Sequence, residues 1–302
     1  MTAAPTATPR PRAPSRRILY LASLAVTALV VWAAVTLDIE PDRILSLPEG
    51  VGLLFYRMFL EQGPEWEYLP GAIEGMVQSI QIAWIGTIIG AVVSLPLGLL
   101  GARNVSGIVG SNVMRQILNA IRAVPEVILA VVIFIPMVGI GGTASAYAGT
   151  LAIGLHSVGT LGKLTAEVVE GIDPGPVEAA RAAGGNMLQS QRWGVIPQVM
   201  PEVIAFWLYR FEINIRASAI LGVVGAGGIG TALEQAMSFN RFPRAGLIII
   251  VVILATILVD TASGWLRRRI IEGSGGPRIS GQELEEPDFA ASGAGRVDTD
   301  AG

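Results

Sequence analysis

Cysteine is absent from this 302-residue chain, and histidine occurs once, at His156. The first absence excludes disulfides, thiolate metal sites and thiol nucleophiles; the second excludes a metal centre built on clustered histidines. Charge is scarce as well, with Asp, Glu, Lys and Arg at 15% of residues and aromatic side chains at 6%. No clustered acid–base set stands out, so little catalytic chemistry is open to the chain and no metal or cofactor of its own is expected. The net charge of −3 decides nothing, because orientation in a membrane follows Lys and Arg in short loops rather than the total. What is abundant is apolar surface: 52% hydrophobic residues, 37 glycines and a mean hydropathy of +0.58. That composition describes a polytopic membrane protein surrounded by lipid, not a soluble enzyme, and no nucleic-acid partner is expected.

The first apolar run, Ile18 to Leu37, follows Arg10, Arg12, Arg16 and Arg17 and has the roughly 20 residues that one bilayer crossing requires. A cleavable signal peptide is the rival reading, but its apolar core is usually about 7–15 residues, so a retained anchor is expected. Further runs at Met76–Leu100, Val124–Ile140, Ala144–Leu161, Val203–Val223 and Ala245–Trp265 make an all-α protein with about six spans. If the arginine-rich N-terminus is cytoplasmic, Arg103, Arg115, Arg122, Lys163, Arg181, Arg192, Arg267, Arg268 and Arg269 also fall inside, as the positive-inside rule asks; Arg241 and Arg244 run against it. The expected layout is a disordered tail over 1–17, a first span over 18–37 and an extracytoplasmic segment over 38–70. A core follows over 71–270, with a cytoplasmic loop at 171–200, and then a disordered acidic tail over 271–302.

Gly225, Gly227 and Gly230 have the G-x-G-x-x-G spacing of a dinucleotide site. That motif needs a strand before it and an acidic residue about 20 positions on. Here a helical pattern precedes it and the apolar run GLIIIVVILA follows, so the glycines are read as a sharp turn or close backbone approach between spans. A P-loop also fails, because Ser157 and Leu164 stand where Gly and Ser or Thr are required around Lys163. Small-residue stripes at Gly86/Gly90 and Ser94/Gly98 suit close helix contact.

Between the fourth and fifth spans the stretch from Glu170 to Val203 is unusually polar and has its own helical punctuation. Asp173 can cap a helix that Pro174 opens, and Gly184-Gly185 stops it. Asn186 can cap a second short helix ending before Pro197. So small a hairpin buries little surface alone and invites a partner.

Glu178-Ala179-Ala180, Gly184 and Val195-Ile196-Pro197 resemble the EAA loop of binding-protein-dependent ABC importer permeases, with Ile196 where the family usually has leucine. The likeness extends through GTIIGAVVSLPLGLLGARN (Gly86–Asn104), IRAVPEVILA (Ile121–Ala130), LHSVGTLGKLTAE (Leu155–Glu167) and LYRFEINIRASAILGVVGAGGIG (Leu208–Gly230). Together these are most similar to the phosphonate-importer permeases. The resemblance implies the type I ABC importer (MetI-like) permease fold, a non-catalytic subunit and a multi-pass place in a bacterial cell membrane with both termini cytoplasmic. It implies as partners two copies of an ATP-binding subunit, which carry ATP and Mg, an extracytoplasmic substrate-binding protein and a second permease copy in a homodimer. It also assigns ATPase coupling to Glu178, Ala179, Ala180, Arg181, Gly184 and Pro197.

Arg210, Glu212, Asn214 and Arg216 lie about 9–15 residues from the cytoplasmic end of the fifth span, near mid-membrane. Isolated charges there cost roughly 3 kcal/mol or more. Glu212 and Arg216, spaced i,i+4, make either a structural ion pair or part of a pathway; Arg210 shares a face with Asn214 and lacks a local partner. Uncompensated positive charge would favour an anion, so Arg210 or Arg216 is a pathway candidate for a phosphonate-like ligand. Arg122 and Glu126 beside Pro125 are further candidates, as is His156 beside Ser157, for which a satisfied structural histidine is the alternative. Importers of phosphate, phosphite or methionine are the nearest other functions. A gradient-driven transporter would show an inverted repeat with paired broken helices, which is not seen, and a membrane enzyme would need a catalytic set.

Overall fold

A computed structural model describes residues 16–37, 41–138 and 142–273, and among these every regular element is helical. α1 (Arg16–Thr36) is the first apolar run. α2 (Pro41–Phe55) continues through a π-helical turn at Tyr56–Leu60, and a 3-10 turn at Trp66–Tyr68 leads into α3 (Leu69–Gly101). α4 (Arg103–Ala123) and α5 (Glu126–Ile128) follow, then a second π turn (Leu129–Phe134) and α6 (Ile135–Val138). α7 (Gly142–Glu170) ends at the hairpin α8 (Gly175–Ala182) and α9 (Met187–Ser190). A third π turn (Gln191–Val195) enters α10 (Ile196–Val223), followed by α11 (Ile229–Ser238) and α12 (Phe242–Gly273). Of the expected tails, residues 16–17 and 271–273 are helical and the rest lies outside the described residues.

Among the described residues α1, α3 and α12 are long and apolar enough to cross a membrane, and α4 with α5–α6 forms a fourth apolar stretch bent by 73°. α7 and α10, at 29 and 28 residues, have the length but are too polar to qualify on composition. Their place explains this. Both sit inside the bundle, packed on α3 and on each other, where polar side chains meet helices rather than lipid. α3 and α7 approach closely along the small-residue stripe: a Cβ on Gly90 would stand 2.5 Å from the Ser157 Cβ, and Gly98 faces Thr165 in the same way. α1 buries none of its apolar window.

The third span departs from expectation. Val124 precedes Pro125, whose ring disfavours helical backbone at the residue before it; Val124 is extended (φ −88°, ψ 117°) and the helix breaks there. α4, itself kinked at Gly107, is therefore no mere connection but the first limb of a bent helix pair that runs along α7. Its Arg115 meets Glu170 at the end of α7 (2.7 Å), whereas the Arg122 backbone lies against Gly159. Gly159 is 11 residues before Glu170, about 16 Å up the helix. Arg122 thus stands well above Arg103 and Arg115 rather than level with them.

The glycine turn behaves as expected in kind. Gly225, Gly227 and Gly228 have φ of 90°, 81° and 80°, a left-handed run that reverses the chain between α10 and α11. The first N–H groups of α11 are already occupied: Gly228 N–H donates to Gln78 Oε1 (3.0 Å) and Ile229 N–H to Ser79 Oγ (2.9 Å) on α3. Two of the donors that a phosphate would need there are thus taken by α3, and a helix rather than a strand feeds the turn, which weighs against the dinucleotide reading on structural grounds.

Candidate functional site

Two groups of residues stand out, one buried at mid-bundle and one exposed at the hairpin. The buried group centres on Ser157 of α7, which is fully enclosed. Arg210 Nε donates to Ser157 Oγ at 3.1 Å, and Asn214 Nδ2 donates to the same oxygen at 3.0 Å and to Thr87 Oγ1 of α3 at 2.8 Å. Thr87 passes its own hydroxyl proton to the Ala83 carbonyl, 2.6 Å away. Asn214 is 0% exposed and Arg210 8%, so three helices are tied by a small polar network in the interior. The Asn214 Oδ1 has no hydrogen-bond partner among the described residues. Arg210, without a partner in its own helix, has found a neutral one across the bundle.

His156 extends this network to the bent span. The break at Pro125 frees the Val124 carbonyl, and His156 Nδ1 sits 3.1 Å from it. A carbonyl only accepts, so Nδ1 carries the hydrogen, and Nε2 faces the Glu126 carboxylate at 3.6 Å. Arg122 is exposed, four residues before Glu126 on the other side of the Pro125 break, and makes no ion pair among the described residues. The structure therefore gathers Arg210, Asn214, His156 and Glu126, with Arg122 at the rim.

Glu212 and Arg216 belong elsewhere. The expected pair between them is replaced by bonds to α12: Arg216 Nη1 reaches Asp260 Oδ2 at 3.1 Å, and Glu212 Oε1 lies 3.9 Å from Arg267 Nη2. α10 and α12 run antiparallel, and Asp260 and Arg267, two turns apart on one face, meet the α10 charges in reverse order. A cross-helix pair of that kind was beyond an i,i+4 argument made on α10 alone, and Thr87 was missed for the same reason.

The exposed group is the hairpin. Asp173 Oδ1 accepts the Gly175 N–H (2.9 Å), so its side chain guards the helix start, although the capping position itself falls on Pro174. α8 stops at Gly184, whose φ of 84° admits few residues other than glycine; Gly185 N–H closes onto the Ala180 carbonyl at 3.0 Å. Asn186 and Gln189 form a capping box. The second helix does not end before Pro197, however. It runs through the π turn into α10, where Pro197 occupies the first turn and its missing N–H costs nothing. Glu178, Ala179, Arg181, Gly184 and Pro197 are exposed and Ala180 is half-buried. Leu188 (80% exposed) and Trp193 (69%) add an apolar patch that sequence reasoning overlooked, signalled only by large apolar side chains in a polar loop. The hairpin is anchored from behind: Asp173 N–H and carbonyl exchange hydrogen bonds with the Gln198 amide, both at 3.1 Å, and Val177 backs onto Gly194.

The profile of the family described as binding-protein-dependent transport system inner membrane component matches residues 94–272. The chain belongs to that family. It is 42% identical over 195 residues to a phosphate-import permease of Mycolicibacterium smegmatis, a match covering 64% of this chain and 36% of the relative, so the chain spans about a third of that relative's length. It is 40% identical over 208 residues to a phosphite transport system permease of Stutzerimonas stutzeri, covering 68% and 73% of the two chains. The fold is similar to that in an inward-facing structure of a methionine ABC transporter (TM-score 0.54, 24% identity, 66% of this chain and 95% of the other). It is also similar to that in an amino acid ABC transporter (TM-score 0.55, 20% identity, 67% and 95%). The all-α, multi-pass architecture and the expected permease fold are thereby established for this chain.

Proposed function

We propose that the chain is the non-catalytic, membrane-spanning subunit of an ATP-driven importer, and that its cargo is a phosphorus oxyanion, with phosphonates foremost and phosphate or phosphite as close relatives. The observation that carries the cargo is the family match taken together with Arg210, a cation at mid-bundle whose direct partner is a neutral hydroxyl. With Ser157 as its direct contact and the Glu126 carboxylate only farther off in the same cluster, Arg210 keeps more of its charge open to an anion than a direct carboxylate contact would leave. Arg122 adds a second cation near the same level. Names of the two relatives described above support the oxyanion reading. A D-methionine permease of Pasteurella multocida at 26% identity keeps methionine as the second ligand.

In this reading two copies of the chain form the pathway, two ATP-binding subunits hold ATP and Mg beneath the hairpins, and an extracytoplasmic binding protein delivers the ligand. Glu178 and Arg181 present polar side chains to the ATPase, Leu188 and Trp193 present apolar ones, and Gly184 sets the turn that aims them. The capping box and the Gln198 clasp make the hairpin a lever that moves with α10. Both termini are cytoplasmic in a bacterial cell membrane. Arg244, against the charge rule, is neutralised in place: its guanidinium bonds Glu65 at 2.6 Å and lies 4.1 Å from the Tyr68 ring.

The test is uptake of labelled phosphonate, phosphite, phosphate and methionine into proteoliposomes holding this chain with its ATPase and binding protein, ATP enclosed. Phosphonate uptake that stops without ATP is the expected result. Uptake that needs ATP but prefers methionine would overturn the cargo, and uptake driven by an ion gradient without ATP would overturn the class.

A further inference from the structure

Residues 38–70, expected as an extracytoplasmic segment, hold a helix over Pro41 to Leu60, 15 residues of α2 running into 5 of π turn. On it Leu47, Val51, Leu54, Phe55 and Met58 recur at helical spacing as one continuous apolar stripe, while the opposite side mixes Ser46, Glu49 and Arg57 with the exposed Leu45, Leu53, Tyr56 and Leu60. Only the end of the stripe is covered. Met58 is buried in the core beside α12, where its carbonyl would stand 2.6 Å from a Cβ on Gly246, and the Phe59 ring packs on the same cluster. Phe55 touches the Phe59 ring at 4.9 Å, so the stripe passes without a break from protein core to open surface. There Leu47 is 60%, Val51 65% and Phe55 55% exposed.

Chain geometry says what covers it. α1 is a bilayer-length span that ends at Thr36, and the stretch from there to Pro41 reaches at most roughly 18 Å. The other end of the helix is fixed to the first turns of α12: Gly246 lies four residues past Phe242, and the Arg57 guanidinium sits 5.6 Å over the Phe242 ring. Both ends are therefore held at the same membrane face, the one where α1 leaves and α3 begins, whichever way the protein is oriented. A helix of about 30 Å so tethered runs along that face instead of away from it. Its anchor on α12 lies about 6 Å in from the start of that span, the depth of the boundary between headgroups and acyl chains.

We propose that the helix Pro41–Leu60 is an interfacial membrane helix whose exposed stripe, Leu47, Val51, Leu54 and Phe55, is seated in the lipid leaflet at the face where α1 ends. The lipid takes the place of a protein partner, and Glu49 and Arg57 stay on the aqueous side. The helix then fixes the height of the α3 and α12 ends relative to the bilayer surface, and tethers α1 to the core without packing against it.

Because the chain has no cysteine, single substitutions Leu47→Cys, Val51→Cys, Leu53→Cys and Glu49→Cys give one environment-sensitive fluorophore each. The labelled full chain, assembled with its ATPase in lipid nanodiscs, is then exposed to lipids carrying a quencher near the glycerol end of the acyl chain and, separately, to aqueous iodide. At positions 47 and 51 lipid quenching about twofold or more above that at 49 and 53 is expected, with the iodide order reversed. Equal iodide access at all four positions would overturn the proposal by placing the helix in water. Shielding of 47 and 51 from both quenchers would overturn it by showing a protein, a second copy or a binding protein, on the stripe. Neither outcome depends on transport, so the cargo assignment can fail separately.

Discussion

The cluster around Ser157 and the hairpin around Gly184 are built on opposite principles. In the first, the contacts that tie the helices together join residues far apart in the chain: Thr87, Ser157 and Asn214 come from α3, α7 and α10 and are fully or nearly fully buried. In the second, the shape comes from neighbours, with Gly184 closing on Arg181, Gly185 on Ala180 and Asn186 bonding Gln189, and most of its surface is exposed. A buried network resists loss of a member through unsatisfied polar groups. An exposed hairpin held by local bonds instead keeps its form while it waits for a partner. The comparison teaches that α10 joins the two, since its first turns carry the Gln198 clasp and its middle carries Arg210 and Asn214.

The largest effect belongs to the hairpin. Gly184→Pro removes the N–H that bonds Arg181 and forbids the positive φ, a local cost of about 1–3 kcal/mol in strain alone. ATP-driven uptake should fall at least about tenfold, the same energy expressed as coupling, while the assembled protein in detergent stays folded and its thermal unfolding drops by no more than that local strain accounts for. Normal uptake would sever the link between hairpin and transport.

Next comes the network. Asn214→Leu takes one donor each from Ser157 and Thr87 at the core and should destabilise the protein by about 1 kcal/mol, the scale of interhelical hydrogen bonds in membranes. Arg210→Gln keeps a donor near Ser157 but removes the charge. If the charge serves the anion, uptake drops while stability moves little; parallel losses of both would make Arg210 a packing residue.

Smaller still is the α10–α12 lock. Arg216→Gln leaves Asp260 without its partner, and Asp260→Asn on top should restore most of what is lost. The exposed pair is expected to couple by less than about 1 kcal/mol in a double-mutant cycle. Coupling to transport rate rather than to unfolding would promote Arg216 back to the pathway.

Least of all is the clip at the far membrane face. The hydrogen bond from Arg244 holds the Glu65 carboxyl below its ordinary value, against the push of partial burial. A depressed carboxyl contributes stability that is present above its unfolded pKa and lost as pH falls through the folded one. Unfolding followed downward from neutral pH should therefore show a small acid-side loss that Glu65→Gln abolishes.

Much of the hairpin was legible beforehand because its signals are local: Asp173, Gly184 and Asn186 act within a few residues of themselves. Its continuation through Pro197 was not, since proline reads as a stop unless the turn before it is known to be helical. The spans were legible from apolar runs, except where Pro125 bends one and where α2 hides its helix among prolines and glycines at the surface. Arg210, Asn214, His156 and Glu126 could be named as unusual, but the meeting of the first two at Ser157 and of the last two across the Pro125 break could not be read from any spacing.

Composition and apolar patterning were enough to read an all-helical, multi-pass membrane protein with a short polar hairpin between two of its long apolar runs. Composition, length and backbone punctuation act over one helix at a time, and a chain records them directly. Only the tertiary structure decided that Arg216 serves Asp260 rather than Glu212, that Arg122 stands high on α7, and that Arg210 meets a neutral hydroxyl. Those outcomes depend on which faces of antiparallel helices come together, and in a low-dielectric interior the nearest polar group across the contact wins over the nearest one along the chain.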